Sequence, residues 1–288
     1  MNWQAQPVIF ECEGSRLIGV VTRPERPYKT GVVIVVGGPQ YRAGSHRQFT
    51  LLARELAQNN IASIRFDYRG MGDSEGEMRN FENIDADIKS AVDALMTQVP
   101  EIEQIALWGL CDGASAALYY SQSDGRVKGL MLLNPWVHSE AGAARARLKY
   151  YYLDRLLSWS FWTKLLGGKV KLNASLSDLT HAARQAREPE QVALTLATSR
   201  QGGVGYIDRM LTALKKYTGS VHIILSGKDL TAQEFRALLQ HNKNWNTACS
   251  RPHNKMTVLK DANHTFSEEA WRKQVETQTI NWIYQEVS

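Results

Sequence analysis

The chain is 288 residues long, 43% hydrophobic and 22% charged, a balance that supplies a sizeable core and excludes a collagen-like or intrinsically disordered protein. Its three cysteines, Cys12, Cys111 and Cys249, stand far apart with no Cys-x-x-Cys pair or His-rich cluster, which argues against a disulfide framework and a metal site. The net charge of +5 is uneven: residues 140–216 carry 13 Lys and Arg against 6 Asp and Glu, and the remainder is slightly acidic.

The opening MNWQAQPVIFECEG lacks the basic start and apolar core of a secretory signal, and no uncharged apolar run reaches the length of a membrane span, so a cytoplasmic protein is expected. Residues 8–12 and 17–22 read as a strand pair joined at Glu13-Gly14-Ser15. The β-branched run 32–36 reads as a central strand ending in Gly37-Gly38-Pro39-Gln40. A helix is predicted over 47–58, a strand over 61–66 and an amphipathic helix over 81–96. Residues 105–108 form a doubly buried strand, a helix of small residues follows Gly113, and residues 127–133 form the next strand, ending at Asn134-Pro135. This alternation implies right-handed crossovers and a mainly parallel sheet with helices on both faces.

From about residue 137 the strand alternation stops. Helices are predicted over 143–157, 176–186 and 190–198, and residues 150–162 are densely aromatic. Residues 137–216 therefore read as a helical cap inserted into a core made of 1–136 and 217–288. The cap's aromatics suit its own packing first, an apolar acyl pocket second, and peripheral contact with a membrane surface third. Its positive charge alone does not make a nucleic-acid site, and no recognition motif supports one. The sheet pattern resumes with a strand over 221–225, a helix over 232–241, a strand over 255–259 and a closing helix over 268–286, with Trp271, Val275, Ile280 and Ile283 on its buried face.

The segment Gly109-Leu110-Cys111-Asp112-Gly113 joins a strand to a helix. It has the nucleophile-elbow pattern with cysteine at the reactive position. Glycines on either side permit close approach, and the helix start favours a thiolate. A small buried core cysteine is the bland alternative. Two further strand ends carry Asp229 and His264. Nucleophile, acid and histidine in that order suit a triad in which His264 takes the thiol proton and Asp229 orients the imidazole. Asp229 also suits a helix N-cap, and His264 a surface loop. An oxyanion hole needs two backbone donors. Asp112 supplies one, and Gly38 is the better second, because Pro39 has no N–H. The Asp112 side chain is an anomaly, since a carboxylate beside a thiolate raises its pKa. Gln40, Arg42 and His46, on the loop after the first central strand, suit recognition of an anionic acyl substrate such as a coenzyme-linked one. A solvated loop is the equal alternative.

Together GGPQYRAGSHRQF, DYRGMGDS, GLCDG, Ser226-Gly227-Lys228-Asp229 and Asn263-His264 resemble the α/β-hydrolase superfamily over almost the whole chain, and more narrowly its type 1 hydrolases associated with exosortase A systems. The resemblance implies an α/β-hydrolase fold with Cys111 as nucleophile, Asp229 as acid, His264 as base and Gly38 with Asp112 as oxyanion donors. It implies no cofactor. Cysteine replaces the usual serine, and Val36 stands where many members carry histidine. The implied activity is an esterase or thioesterase with a covalent acyl-enzyme. An acyltransferase in exopolysaccharide-related metabolism and a non-catalytic scaffold are the alternatives.

Overall fold

A strand made of β-branched residues throughout has no face suited to water and needs cover on both sides. In the computed structural model of the chain, which describes residues 2–38, 40–138 and 205–287, such strands form the middle of an eight-stranded sheet. The strands are β1 (Trp3–Cys12), β2 (Ser15–Pro24), β3 (Thr30–Val35), β4 (Ser63–Phe66), β5 (Gln104–Leu110), β6 (Val127–Leu133), β7 (Ser220–Ser226) and β8 (Asn254–Leu259). Their spatial order is β1-β2-β4-β3-β5-β6-β7-β8. β1 and β2 form an antiparallel hairpin, β2 runs antiparallel to β4, and the pairings from β4 to β8 are parallel. From β3 the chain moves to β4 on one side and then returns to β5 on the other. Connections leaving β3 and β5 therefore diverge, and the crevice at such a reversal is where doubly wound sheets bind ligands. Gly37-Gly38 and Cys111 follow these two strands directly.

The helices of the described residues are α1 (Gln48–Gln58), α2 (Asp85–Gln98), α3 (Asp112–Tyr120), α4 (Tyr206–Lys216), α5 (Leu230–His241), α6 (Lys243–Cys249) and α7 (Glu269–Glu286). Alternate residues of β3 serve the two faces. Val32 and Ile34 share a core with Phe49, Leu52 and Leu56 of α1 and Trp282 and Ile283 of α7. Val33 and Val35 belong to the opposite core, with Ile88 and Leu95 of α2, Ala117 of α3, Met210 of α4, Phe235 of α5 and Trp245 of α6. Each such large apolar side chain contributes about 1.5–3 kcal/mol on burial.

Three details differ from the sequence pattern. The predicted helix over 81–96 breaks at Ile84 (φ −114°, ψ 17°), leaving Phe81–Asn83 as a separate turn of 3₁₀ helix ahead of α2. α6 was not expected. It is too short to show a period, and it starts because the Asn242 side chain accepts from the N–H groups of Asn244 and Trp245. On α7, Trp282 is buried and Trp271 only half-buried.

The helices expected over 143–157, 176–186 and 190–198 lie outside the described residues, as does the unit Glu140–Gly203. Residues 206–216, assigned to the cap by the sequence pattern, form α4 in the unit made of Met1–Ser139 and Val204–Ser288, because Met210 and Ala213 are fully buried in its core. No helix of the described residues is long and apolar enough to cross a membrane.

Candidate active site

Cys111 is the residue between β5 and α3, with φ 60° and ψ −125°. An L-residue in such a region carries about 1–3 kcal/mol of strain and stays there only if its surroundings over-determine it. Here they do. Its N–H donates to the Leu133 carbonyl (2.9 Å), and its carbonyl accepts from Ala114 (3.1 Å) and Trp136 (3.3 Å). Strand and helix also meet too closely for side chains at the flanking glycines. A Cβ on Gly109 would lie 2.4 Å from the Gly113 carbonyl, and one on Gly113 would lie 2.5 Å from the Val35 carbonyl. Ser115 Oγ holds both polar groups of Trp136, accepting its N–H (3.1 Å) and donating to its carbonyl (3.0 Å), which ties the segment after β6 to α3.

Asp229 follows β7 and combines the two roles its position allowed. Its Oδ2 accepts the Ala232 N–H at the start of α5 (3.0 Å) and lies 3.0 Å from His264 Nδ1. The helix cap thus fixes the carboxylate that orients the imidazole, leaving Nε2 for proton transfer. Burial pulls the His264 pKa down, but the hydrogen bond and charge of Asp229, with the charge of Asp112, outweigh it and raise the net value. Backbone hydrogen bonds from Gly227 to Leu259 (2.8 Å) and Lys228 to Ala262 (3.0 Å) join the two loops.

Asn134 was noted only as a strand end, yet it organises this corner. Fully buried, with φ 44°, it donates through Nδ2 to Ser226 Oγ (2.9 Å) and to the His264 carbonyl (3.0 Å), and its Oδ1 accepts the Ser226 N–H (2.8 Å). Glu234 of α5 was also missed. It is buried and faces His138 Nδ1 at 3.3 Å, while Tyr206 donates to the His138 carbonyl (2.5 Å).

The helix end that favours a thiolate meets opposing causes. Burial raises the Cys111 pKa well above its ordinary value, and the charges of Asp112, Asp229 and Glu234 add to this, against a lowering hydrogen bond from the Asp112 N–H. Burial, the largest cause, and the three carboxylates thus oppose the helix end in favouring the thiol form. Burial also raises Asp112, to about 6, against the backbone hydrogen bonds of Gly38, Gly113 and Asp112 itself and the nearby charge of His264.

The loop after β3 does not present the side chains expected of it. Arg42 is ion-paired with buried Asp67 and with Asp73 (2.7 Å), and its N–H also donates to Asp67 (2.6 Å). Gln40 turns back to accept the Ser45 N–H (3.0 Å), and His46 is exposed in a left-handed conformation (φ 53°). Arg42 clamps this loop to the turn after β4 through these two acidic partners. Among the described residues no group of three or more His, Cys, Asp or Glu is placed to hold a metal ion.

A family model described as serine aminopeptidase, S33, matches residues 28–270. Among solved structures the chain is similar to the Pyrococcus furiosus esterase Pf2001, with a TM-score of 0.65 and 14% identity over 99% of this chain and 94% of that one. It is likewise similar to Est1E from Butyrivibrio proteoclasticus, determined with ferulic acid bound, with a TM-score of 0.61 and 16% identity over 97% and 99% of the two chains. At these identities the likeness shows the fold, an α/β-hydrolase sheet. One curated relative, the polyketide transferase grgF of a Penicillium species, is 30% identical over 102 residues. The match spans 33% of this chain and 33% of that protein's length.

Proposed function

The chain belongs to the serine aminopeptidase S33 family of α/β-hydrolase enzymes, and from that premise we propose that it is an acyl hydrolase, an esterase or thioesterase, with Cys111 as its nucleophile. The observation that carries this reading is the strained elbow cysteine at the end of β5 together with Asp229, at the same end of the parallel sheet after β7, holding His264 at 3.0 Å.

With the Cys111 pKa raised by burial and neighbouring carboxylates, deprotonation and attack go together in this reading. His264 Nε2 takes the Sγ proton as Sγ bonds to the acyl carbon, and the carbonyl oxygen becomes an oxyanion held by the N–H groups of Gly38 and Asp112. The imidazolium, stabilised by Asp229, then gives its proton to the departing oxygen or sulfur, leaving a thioester on Cys111. In the second half His264 takes a proton from water, hydroxide adds to the thioester, and the acid leaves as Cys111 is reprotonated.

Acyl transfer to a hydroxyl acceptor is the second reading, favoured by the partial similarity to a polyketide transferase. The basic excess over residues 140–216 supports an anionic or coenzyme-linked donor. The narrower resemblance to exosortase-associated hydrolases, and with it a cytoplasmic role in exopolysaccharide metabolism, rests on the sequence motifs alone.

Turnover of a chain-length series of aryl esters and acyl-coenzyme A thioesters by wild type, Cys111→Ala and His264→Ala tests the reading, with alcohols and sugars added as acceptors. Loss of at least about 10³-fold in both variants supports it. Product acid supports hydrolysis, and acceptor ester supports transfer. Undiminished turnover in Cys111→Ala contradicts both.

A further inference from the structure

The loop that carries the acyl-oxygen amides already faces an anion. Asp112 opens α3, its Oδ1 receives the Gly113 N–H (3.0 Å), and the nearby backbone amides of Gly38 and Asp112 favour its charged form. A Cβ built on Gly37 would sit 2.4 Å from Oδ1. The carboxylate is therefore folded back against the loop after β3 instead of reaching outward. Several amides converging on one carboxylate at a helix start form an anion cradle, and here the cradle is filled by the chain's own side chain. The titratable groups that bear on it are Tyr68 from the segment after β4, Cys111 from the elbow and His264 from the loop after β8. Of these only His264 becomes cationic.

We propose that the Asp112 carboxylate is the resting occupant of the oxyanion hole, which has to leave or take up a proton before an acyl oxygen binds there. This rests on the reading of the Gly38 and Asp112 amides as oxyanion donors for acyl transfer at Cys111. An occupied hole lowers the apparent affinity for the acyl oxygen by the fraction of molecules in which it is open. Binding energy from the acyl chain is then what opens it, so the occupant favours substrates that bind well over small activated esters. Burial places the Asp112 carboxyl at about 6, so the occupant loses its charge in mildly acid solution.

Two measurements between pH 4.5 and 8 test the proposal. The first follows the amide protons of Gly38 and Gly113 by ¹⁵N–¹H NMR in wild type and Asp112→Asn. Both amides should follow one titration in wild type, and that titration should be absent from the variant. The second follows acylation of Cys111 by p-nitrophenyl acetate in wild type, Asp112→Ala and Asp112→Asn. The ratio of the Asp112→Ala rate to the wild-type rate should rise about tenfold as Asp112 ionises and then level off. Asp112→Asn, a neutral occupant, should lie between the two. Amides indifferent to Asp112, or a ratio of one or less at every pH, would overturn the proposal. The amide titration needs no turnover. Absence of acylation in every protein would remove the acyl-enzyme reading while the NMR result still decides whether the carboxylate occupies the hole.

Discussion

A cysteine at a helix start is ordinarily a candidate thiolate, but burial raises the Cys111 pKa, and the charges of Asp112, Asp229 and Glu234 add to that. Alkylation of Cys111 by iodoacetamide should therefore be slow at neutral pH and climb only in alkaline solution. Asp112→Asn should bring that climb to lower pH. The general base has the opposite perturbation. His264 is raised, so it must lose a proton above its ordinary value before it can accept one from the thiol. Acylation should rise with pH through that elevated value. Asp229→Asn removes the main raising cause, so the inflection should move to lower pH while the rate falls by roughly 10³–10⁴. A rate profile that keeps its inflection in Asp229→Asn would show that the 3.0 Å contact does not set the His264 pKa.

The elements matter through the loops they hold together. Asn134 joins the ends of β6 and β7 to the His264 backbone. Asn134→Ala should cost roughly 2–3 kcal/mol, since it strands buried partners, and should lower kcat more than it changes KM. Arg42 joins the loop after β3 to the turn after β4. Arg42→Ala leaves Asp67 buried without its cation, so a loss of about 3–5 kcal/mol is expected in urea unfolding, whatever the substrate's charge. Unchanged stability with a KM raised for anionic substrates alone would restore the ligand role that the loop's composition suggested. These two residues also mark what a sequence conceals. Cys111, Asp229 and His264 are legible because each lies a few residues beyond an apolar run. The partners of Asn134 lie 92 and 130 residues away, and no local pattern announces such a contact. The partners of Arg42 are hidden for the same reason, because Asp67 and Asp73 become its neighbours only once β3 and β4 pair.

At the scale of the whole molecule, the alternation of apolar runs and amphipathic segments was sufficient for a parallel sheet with two helical layers, because buried strands and covering helices leave different periods in the chain. The strand order was not legible. The reversal between β3 and β5, which opens the crevice at Gly38 and Cys111, depends on which side of β3 the chain returns to. The core also has a pH limit. His222 of β7 is fully buried and its pKa is lowered to about 4, chiefly by burial. A histidine depressed in the folded state stabilises fully above its unfolded value of about 6.5 and loses that contribution as pH falls towards 4. Urea unfolding should show a decline on the order of 3 kcal/mol across this interval, and His222→Leu should flatten it.

The central claim is that Cys111 forms a covalent acyl intermediate with help from His264. Intact-protein mass spectrometry after brief exposure to activated esters and acyl thioesters tests it most directly, with wild type beside Cys111→Ala and His264→Ala. The account predicts an acyl adduct on Cys111 that forms rapidly in wild type, decays with time, is absent from Cys111→Ala and forms at least about 10³-fold more slowly in His264→Ala. No adduct from any donor, with Cys111 no more reactive than Cys12 or Cys249, would contradict it.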